Sequence, residues 1–90
     1  MTREELLKNK GWWIAKFQID LYQIIEKYLK ENKLSRSQFA KKLGVTKSYI
    51  SQVLNGDFNH RLSKFVELSL AVGKIPKIEF KDIEQVIEED

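Results

Sequence analysis

The sequence predicts an all-α fold: a compact bundle of about five helices, with a short C-terminal strand or extended segment. Three observations carry that expectation. Apolar residues recur every three or four positions along most of the chain, the spacing that lines one face of a helix. Two short stretches in the middle each open on a capping residue and are separated only by Gly44-Val45-Thr46. Proline occurs once, at Pro76, and the polar-apolar alternation of a strand follows it. With 90 residues, 42% of them apolar and 32% charged, the chain supports one modest core. No stretch reads as an interdomain linker, so residues 1–90 are expected to form a single domain. It divides into a long-helix region over 1–33, a central unit over 34–73, and a strand and acidic tail over 74–90.

Thr2-Arg3-Glu4-Glu5 has the capping-box pattern, in which a hydroxyl and a carboxylate three residues on satisfy each other's exposed amides. Trp13, Phe17, Leu21, Ile24 and Tyr28 then recur at spacings of 4, 4, 3 and 4, one stripe of a long helix. Gly11 is expected to separate that helix from a short leading one, because glycine costs a helix about 1 kcal/mol relative to alanine. Trp12 and Trp13 are expected to pack in a core or dimer contact rather than to line an effector pocket. Asn32-Lys33 closes the long helix. Ser35 caps the next one, Gln38 completes a capping box, and Leu34 and Phe39 stand in staple positions. Gly44 ends it, in the left-handed position glycine favours. Thr46 caps a further helix through Leu54, with Val45 and Ile50 as a second staple, and Asn55-Gly56 stops it. Asn55 to His60 reads as a loop. Leu62, Phe65, Val66, Leu68, Ser69, Leu70 and Val72 follow at helical spacing up to Gly73. Beyond Pro76, Lys77-Ile78-Glu79-Phe80-Lys81 alternates as a strand does, and Asp82 caps a last turn carrying Ile83, Val86 and Ile87.

The net charge of +3 is unevenly spread. Lys33 to Lys64 holds seven basic residues against Asp57 alone, a net +6, whereas residues 77–90 sum to −4. A basic middle suits a polyanion, and an acidic tail suits a partner of another kind. The lack of cysteine removes disulfides, thiolate metal sites and thiol nucleophiles, and with one histidine no metal site is expected. No glycine-rich phosphate loop, nucleophile elbow or His-Glu metal spacing occurs, so the sequence predicts no enzyme, no catalytic residue and no cofactor. The longest apolar run, Trp12-Trp13-Ile14-Ala15, is far short of the roughly 20 residues of a membrane span. No signal core follows Met1, and a cytoplasmic setting without membrane attachment is expected.

The informative stretch is Leu34 to Gly56. Its two capped helices flank a turn too tight for antiparallel packing, which suits a steep crossing angle. Ala40 lets the second helix approach closely, and Phe39, Leu43, Val45, Ile50, Val53 and Leu54 are apolar. Lys47, Ser48, Ser51, Gln52 and Asn55 are left on the other face, which carries no acid. The run from Ser35 to Gly56 resembles the helix-turn-helix of the lambda-repressor/Cro-like (XRE) family. The likeness rests on Ala40, Leu43-Gly44, Ile50-Ser51 and Leu54-Asn55-Gly56 at unbroken spacing, and the flanking helices extend it to about two thirds of the chain.

That resemblance implies binding of double-stranded DNA, with the helix from Thr46 to Leu54 in the major groove. Residue by residue it puts Lys47, Ser48 and Gln52 at the base-reading positions. Their chemistry agrees, since glutamine bridges adenine N6 and N7, lysine donates to guanine O6 and N7, and serine serves several bases. Arg36 matches a phosphate-contacting position, and Asn55 with Asn59, His60 and Arg61 matches a second backbone clamp. Thr46, Tyr49 and Ser51 are further candidates for phosphate or sugar. One departure is the stretch from Asp57 to Ser63, where the family usually has a proline or serine opening the next helix. Asp57 would repel phosphate if it faced the duplex.

The expected function is a sequence-specific transcriptional regulator, a repressor, bound as a homodimer to an inverted repeat with half-sites about 10 base pairs apart. It would be cytoplasmic, and nucleoid-associated when bound to DNA. One alternative is an antitoxin-type autorepressor whose acidic C-terminal tail binds a toxin. Another is a protein-interaction module that has lost DNA binding.

Overall fold

A computed structural model describes residues 2–55 and 61–89. Among these, six helices follow one another: α1 (Arg3–Leu7), α2 (Lys10–Glu31), α3 (Arg36–Leu43), α4 (Lys47–Leu54), α5 (Leu62–Ala71) and α6 (Ile83–Glu88). Each boundary has a local cause. The Thr2 hydroxyl accepts from the Glu5 amide at 3.1 Å and donates to the Glu5 carboxylate at 3.0 Å, so this box closes side chain to side chain. The break between α1 and α2 comes at Lys8-Asn9, ahead of the expected Gly11. The Asn9 side chain accepts from the Trp12 amide at 2.9 Å and starts α2, which leaves Gly11 inside its first turn. A well-placed asparagine cap contributes about as much as one glycine costs, and so decides the boundary. The Trp13 indole N–H donates to the Leu7 carbonyl at 2.7 Å and ties the two helices together.

Helix α2 has 22 residues, about 33 Å at the standard rise. Its buried seam is Leu21, Ile25 and Leu29, with Ile24 and Tyr28 packed along the edge. The stripe read from the sequence lies within α2 and extends beyond the part of the helix that the core covers. Phe17 shares that face but lies a full turn before the first core residue, Leu21, and is 50% exposed. At the far end Lys33 takes a left-handed φ of 53°, and the Leu34 amide reaches back to the Leu29 carbonyl at 2.9 Å. This is a Schellman closure made without glycine.

The Ser35–Gln38 capping box of α3 forms in both directions, at 3.1 and 2.8 Å. Gly44, at φ 73°, lets the Val45 amide bond the Ala40 carbonyl at 3.0 Å. One residue later the Thr46 hydroxyl accepts from the Tyr49 amide at 3.0 Å and α4 begins. Phe39, Ala40, Ile50, Val53 and Leu54 join the α2 seam, Leu68 and Val72 in one core. The buried Ser69 hydroxyl donates to the Phe65 carbonyl at 2.8 Å, so α5 enters that core with its polar group satisfied. Of the loop expected from Asn55 to His60, residues 56–60 lie outside the described ones.

The strand expected over Lys77–Lys81 is not formed. Residues 74–82 are neither helix nor strand, because no other strand among the described residues offers the bonds a ladder needs. After them α6 packs on α1. The molecule is long for its size, 44 × 22 × 22 Å with a radius of gyration of 15.3 Å, against about 12 Å for a compact chain of this length. The first half of α2 carries α1 and α6 beyond the core. No helix among the described residues is long and apolar enough to cross a membrane.

Candidate nucleic-acid interface

At about 100° per residue, α4 divides cleanly. Lys47, Ser51, Asn55, Ser48 and Gln52 fall in that angular order over an arc of roughly 140°. All but the half-buried Ser51 are exposed. Ile50, Val53 and Leu54 occupy the opposite side and are buried. The hydrophobic side thus clamps the helix to the core and forces the polar arc outward. No carboxylate stands on that arc, so it presents amide, hydroxyl and ammonium groups to whatever approaches. Ala40, 2% exposed, sits on α3 where the two helices pack.

Around this arc the other candidates fall into three groups. Thr46, at the head of α4, and Asn55, its C-cap, are exposed, as is Arg61 at the start of α5. Arg36 is fixed in place: its Nη2 donates to Glu26 Oε1 of α2 at 3.2 Å, with both side chains a little over one third exposed. Tyr49 requires a correction. Its hydroxyl is buried and its ring packs on the core, so it does not lie on the surface where a phosphate or sugar could meet it. Burial pushes the phenol above its ordinary value, against an opposing pull from Lys64 and with a further push from Glu67. The reason is angular, since Tyr49 sits next to the buried Val53 on the far side of α4. Asn59 and His60 lie outside the described residues.

A family model for the helix-turn-helix matches residues 25–76. That span is more than half of the chain and contains α3, the turn, α4 and α5. The chain belongs to the lambda-repressor/Cro-like helix-turn-helix family. It is therefore a DNA-binding transcription regulator of that class. Comparison with curated proteins and with solved structures gave no match.

In this helix-turn-helix regulator the matched span starts at Ile25, inside α2, and stops at Pro76. α1, the first part of α2 and α6 are outside it, and these are the elements that lengthen the molecule. Two contacts beside the interface escaped the sequence. Glu26 holds Arg36 from ten residues away, and Lys42 Nζ donates to the Tyr28 hydroxyl at 2.8 Å while lying 5.5 Å from the centre of its ring. Neither pair has a periodic or motif signal, since each joins two helices across a turn.

Proposed function

We propose that this regulator is a sequence-specific repressor that binds an inverted repeat as a homodimer, in the cytoplasm and on the nucleoid. α4 lies in the major groove. Lys47, Ser48 and Gln52 read base edges, and Arg36, Thr46, Ser51, Asn55, Asn59, His60 and Arg61 contact the phosphate backbone. The observation that carries this reading is the acid-free polar arc of α4, held outward by its buried opposite side. The side chains suit the roles. A capping hydroxyl that accepts from an amide still has its own proton to give a phosphate, and Arg36 uses one of five donors on Glu26. A binding selection from a random duplex library at physiological salt tests the reading. An enriched inverted repeat supports it. Salt-sensitive background binding without enrichment overturns it and shifts the weight to a protein partner, such as a toxin, for the acidic tail.

On the same reading, Arg36→Ala weakens binding to all sequences alike and lowers the slope of log affinity against log salt by about 1. Its effect on folding stays within roughly 1 kcal/mol, because the ion pair with Glu26 is partly solvated. Glu26→Gln acts in the opposite direction, removing a carboxylate beside the contacted phosphate and tightening binding to any duplex. Titrations over a range of salt concentrations on specific and scrambled duplexes read both. A loss confined to the specific site would take Arg36 out of the phosphate set.

A further inference from the structure

Apolar side chains from three separate elements meet in one groove of about 610 Å³. Trp13 and Phe17 of α2, Leu62 and Phe65 of α5, and Pro76 and Ile78 of the stretch that follows form its walls. Trp13, expected in a core or dimer contact, is half-buried on one of these walls. Phe17 is 50% exposed, Leu62 63% and Ile78 67%, so the groove is open above a closed core. Its size and its mainly apolar lining, with a few polar groups at the edge, are those of a small-ligand site.

The charges at the edge say what the ligand is. Three charged side chains line the groove: Asp20, Lys77 and Glu79. Asp20 is already met by Lys16 at 3.3 Å. Lys77 and Glu79 are exposed and form no ion pair with any described residue. An anionic or a cationic ligand answers only one of the two and faces a like charge on the other. A zwitterion answers both. We propose that this groove binds an apolar dipeptide with free termini, its carboxylate on Lys77, its ammonium on Glu79 and its side chains in the aromatic trough.

The length of the ligand follows from the spacing. Lys77 and Glu79 are two residues apart, at most about 7 Å between Cα atoms, and the termini of a dipeptide span the same distance. A single amino acid carries both charges on one carbon, and a longer peptide overreaches the pair. Bound this way, the dipeptide runs antiparallel to the chain. Between Ile75 and Lys81 no backbone N–H donates to a carbonyl of the described residues, so the segment has donors to offer it. Exposed ion pairs add little affinity, so apolar burial holds the ligand and the termini select it. Arg61 caps α5 and Leu62 is its first residue, so the occupant braces the first turn of α5 against α2. On the DNA-binding reading above, in which Arg61 contacts a phosphate, the bound dipeptide therefore tightens binding to the duplex.

The probe is the dipeptide Leu-Phe, which carries no indole, titrated into the full chain by calorimetry and by the emission of Trp12 and Trp13. A Kd on the order of 10–100 μM is expected. Free phenylalanine and Leu-Phe capped at both ends are each expected to bind at least about threefold more weakly. Lys77→Glu weakens Leu-Phe about fivefold and leaves the capped form unchanged, whereas Phe17→Ser weakens both about fivefold. Both positions are exposed and outside the core cluster, so melting midpoints stay at the wild-type value. If Phe17→Ser melts early, Lys77→Glu carries the test alone. No saturable binding, or equal affinity for the free and capped forms, overturns the site. Saturating Leu-Phe is expected to lower the Kd for duplex about threefold, and duplex to lower that for Leu-Phe by the same factor. Leu-Phe binding with unchanged duplex affinity overturns the coupling alone. A chain that binds Leu-Phe and no duplex overturns the DNA-binding reading and leaves the site standing.

Discussion

Phe39→Ala is expected to lower stability by about 3–5 kcal/mol, the largest single effect of any substitution considered for this chain. Phe39 has no exposed surface, packs at 5.8 Å on the Tyr28 ring, and lies where α2, α3 and α4 meet. Truncation removes the transfer energy of the ring and leaves a void that three capped helices cannot close by shifting. A chain of this length has a total stability of roughly 5–13 kcal/mol, so much of it is lost. Thermal unfolding followed by circular dichroism should show a midpoint at least about 12 °C lower. Phe80→Ala is the matched control: the same side chain is 94% exposed, and in dilute solution the change stays within about 0.5 kcal/mol. Equal midpoints for the two variants would mean that the core is not centred on Phe39.

On the proposed function, Lys47→Ala/Gln52→Ala is expected to abolish sequence preference without touching the fold. Each side chain reads one base pair at about 1–3 kcal/mol, and the two are five residues apart, beyond the neighbours that couple on a helix surface. Their losses then add to roughly 2–6 kcal/mol, at least about thirtyfold in affinity for the selected site. Both residues are exposed and outside the core cluster, so the melting midpoint should be unchanged. Competition between the selected duplex and a scrambled one at fixed salt separates the mechanisms. Equal losses on both would reassign the pair to backbone contact.

The legible parts of this molecule are those decided within a few residues. Ser35 and Gln38, Gly44, and Thr46 each act on amides or carbonyls at most four positions away, so the boundaries of α3 and α4 follow from the sequence. The face of α4 follows too, because burial of Ile50, Val53 and Leu54 leaves one arc for everything else. Tyr49 was misread for lack of angle: an aromatic with a hydroxyl suits either side of a helix, and only its place beside Val53 decides. Asn9 outcompeted Gly11 because a cap's gain depends on a side-chain geometry that composition does not reveal. Periodicity places Phe17 on the face of Leu21 without saying how far along that face the neighbouring helices reach. The Lys77–Lys81 alternation was read correctly as a pattern, but whether a strand forms depends on a second strand, which no local signal supplies. The Arg36–Glu26 contact is set by the crossing of α2 and α3, a tertiary quantity.

Helix α2 has one further consequence, which is mechanical. It contains no proline, its single glycine sits in the first turn, and the ion pairs Lys16–Asp20 and Lys27–Glu31 brace both halves of its surface. A continuous rod without a hinge acts as a lever with its load at one end and its fulcrum at the other. Over about 33 Å, a tilt of roughly 10° at the α1–α6 end displaces the reading end by about 6 Å, nearly two base-pair steps of 3.4 Å. On the proposed homodimeric reading, small adjustments far from the duplex therefore decide whether two reading heads fall in step with the grooves. For the proposed homodimer, tolerance to changes in half-site spacing is then set by the stiffness of this one helix rather than by the residues that touch the bases.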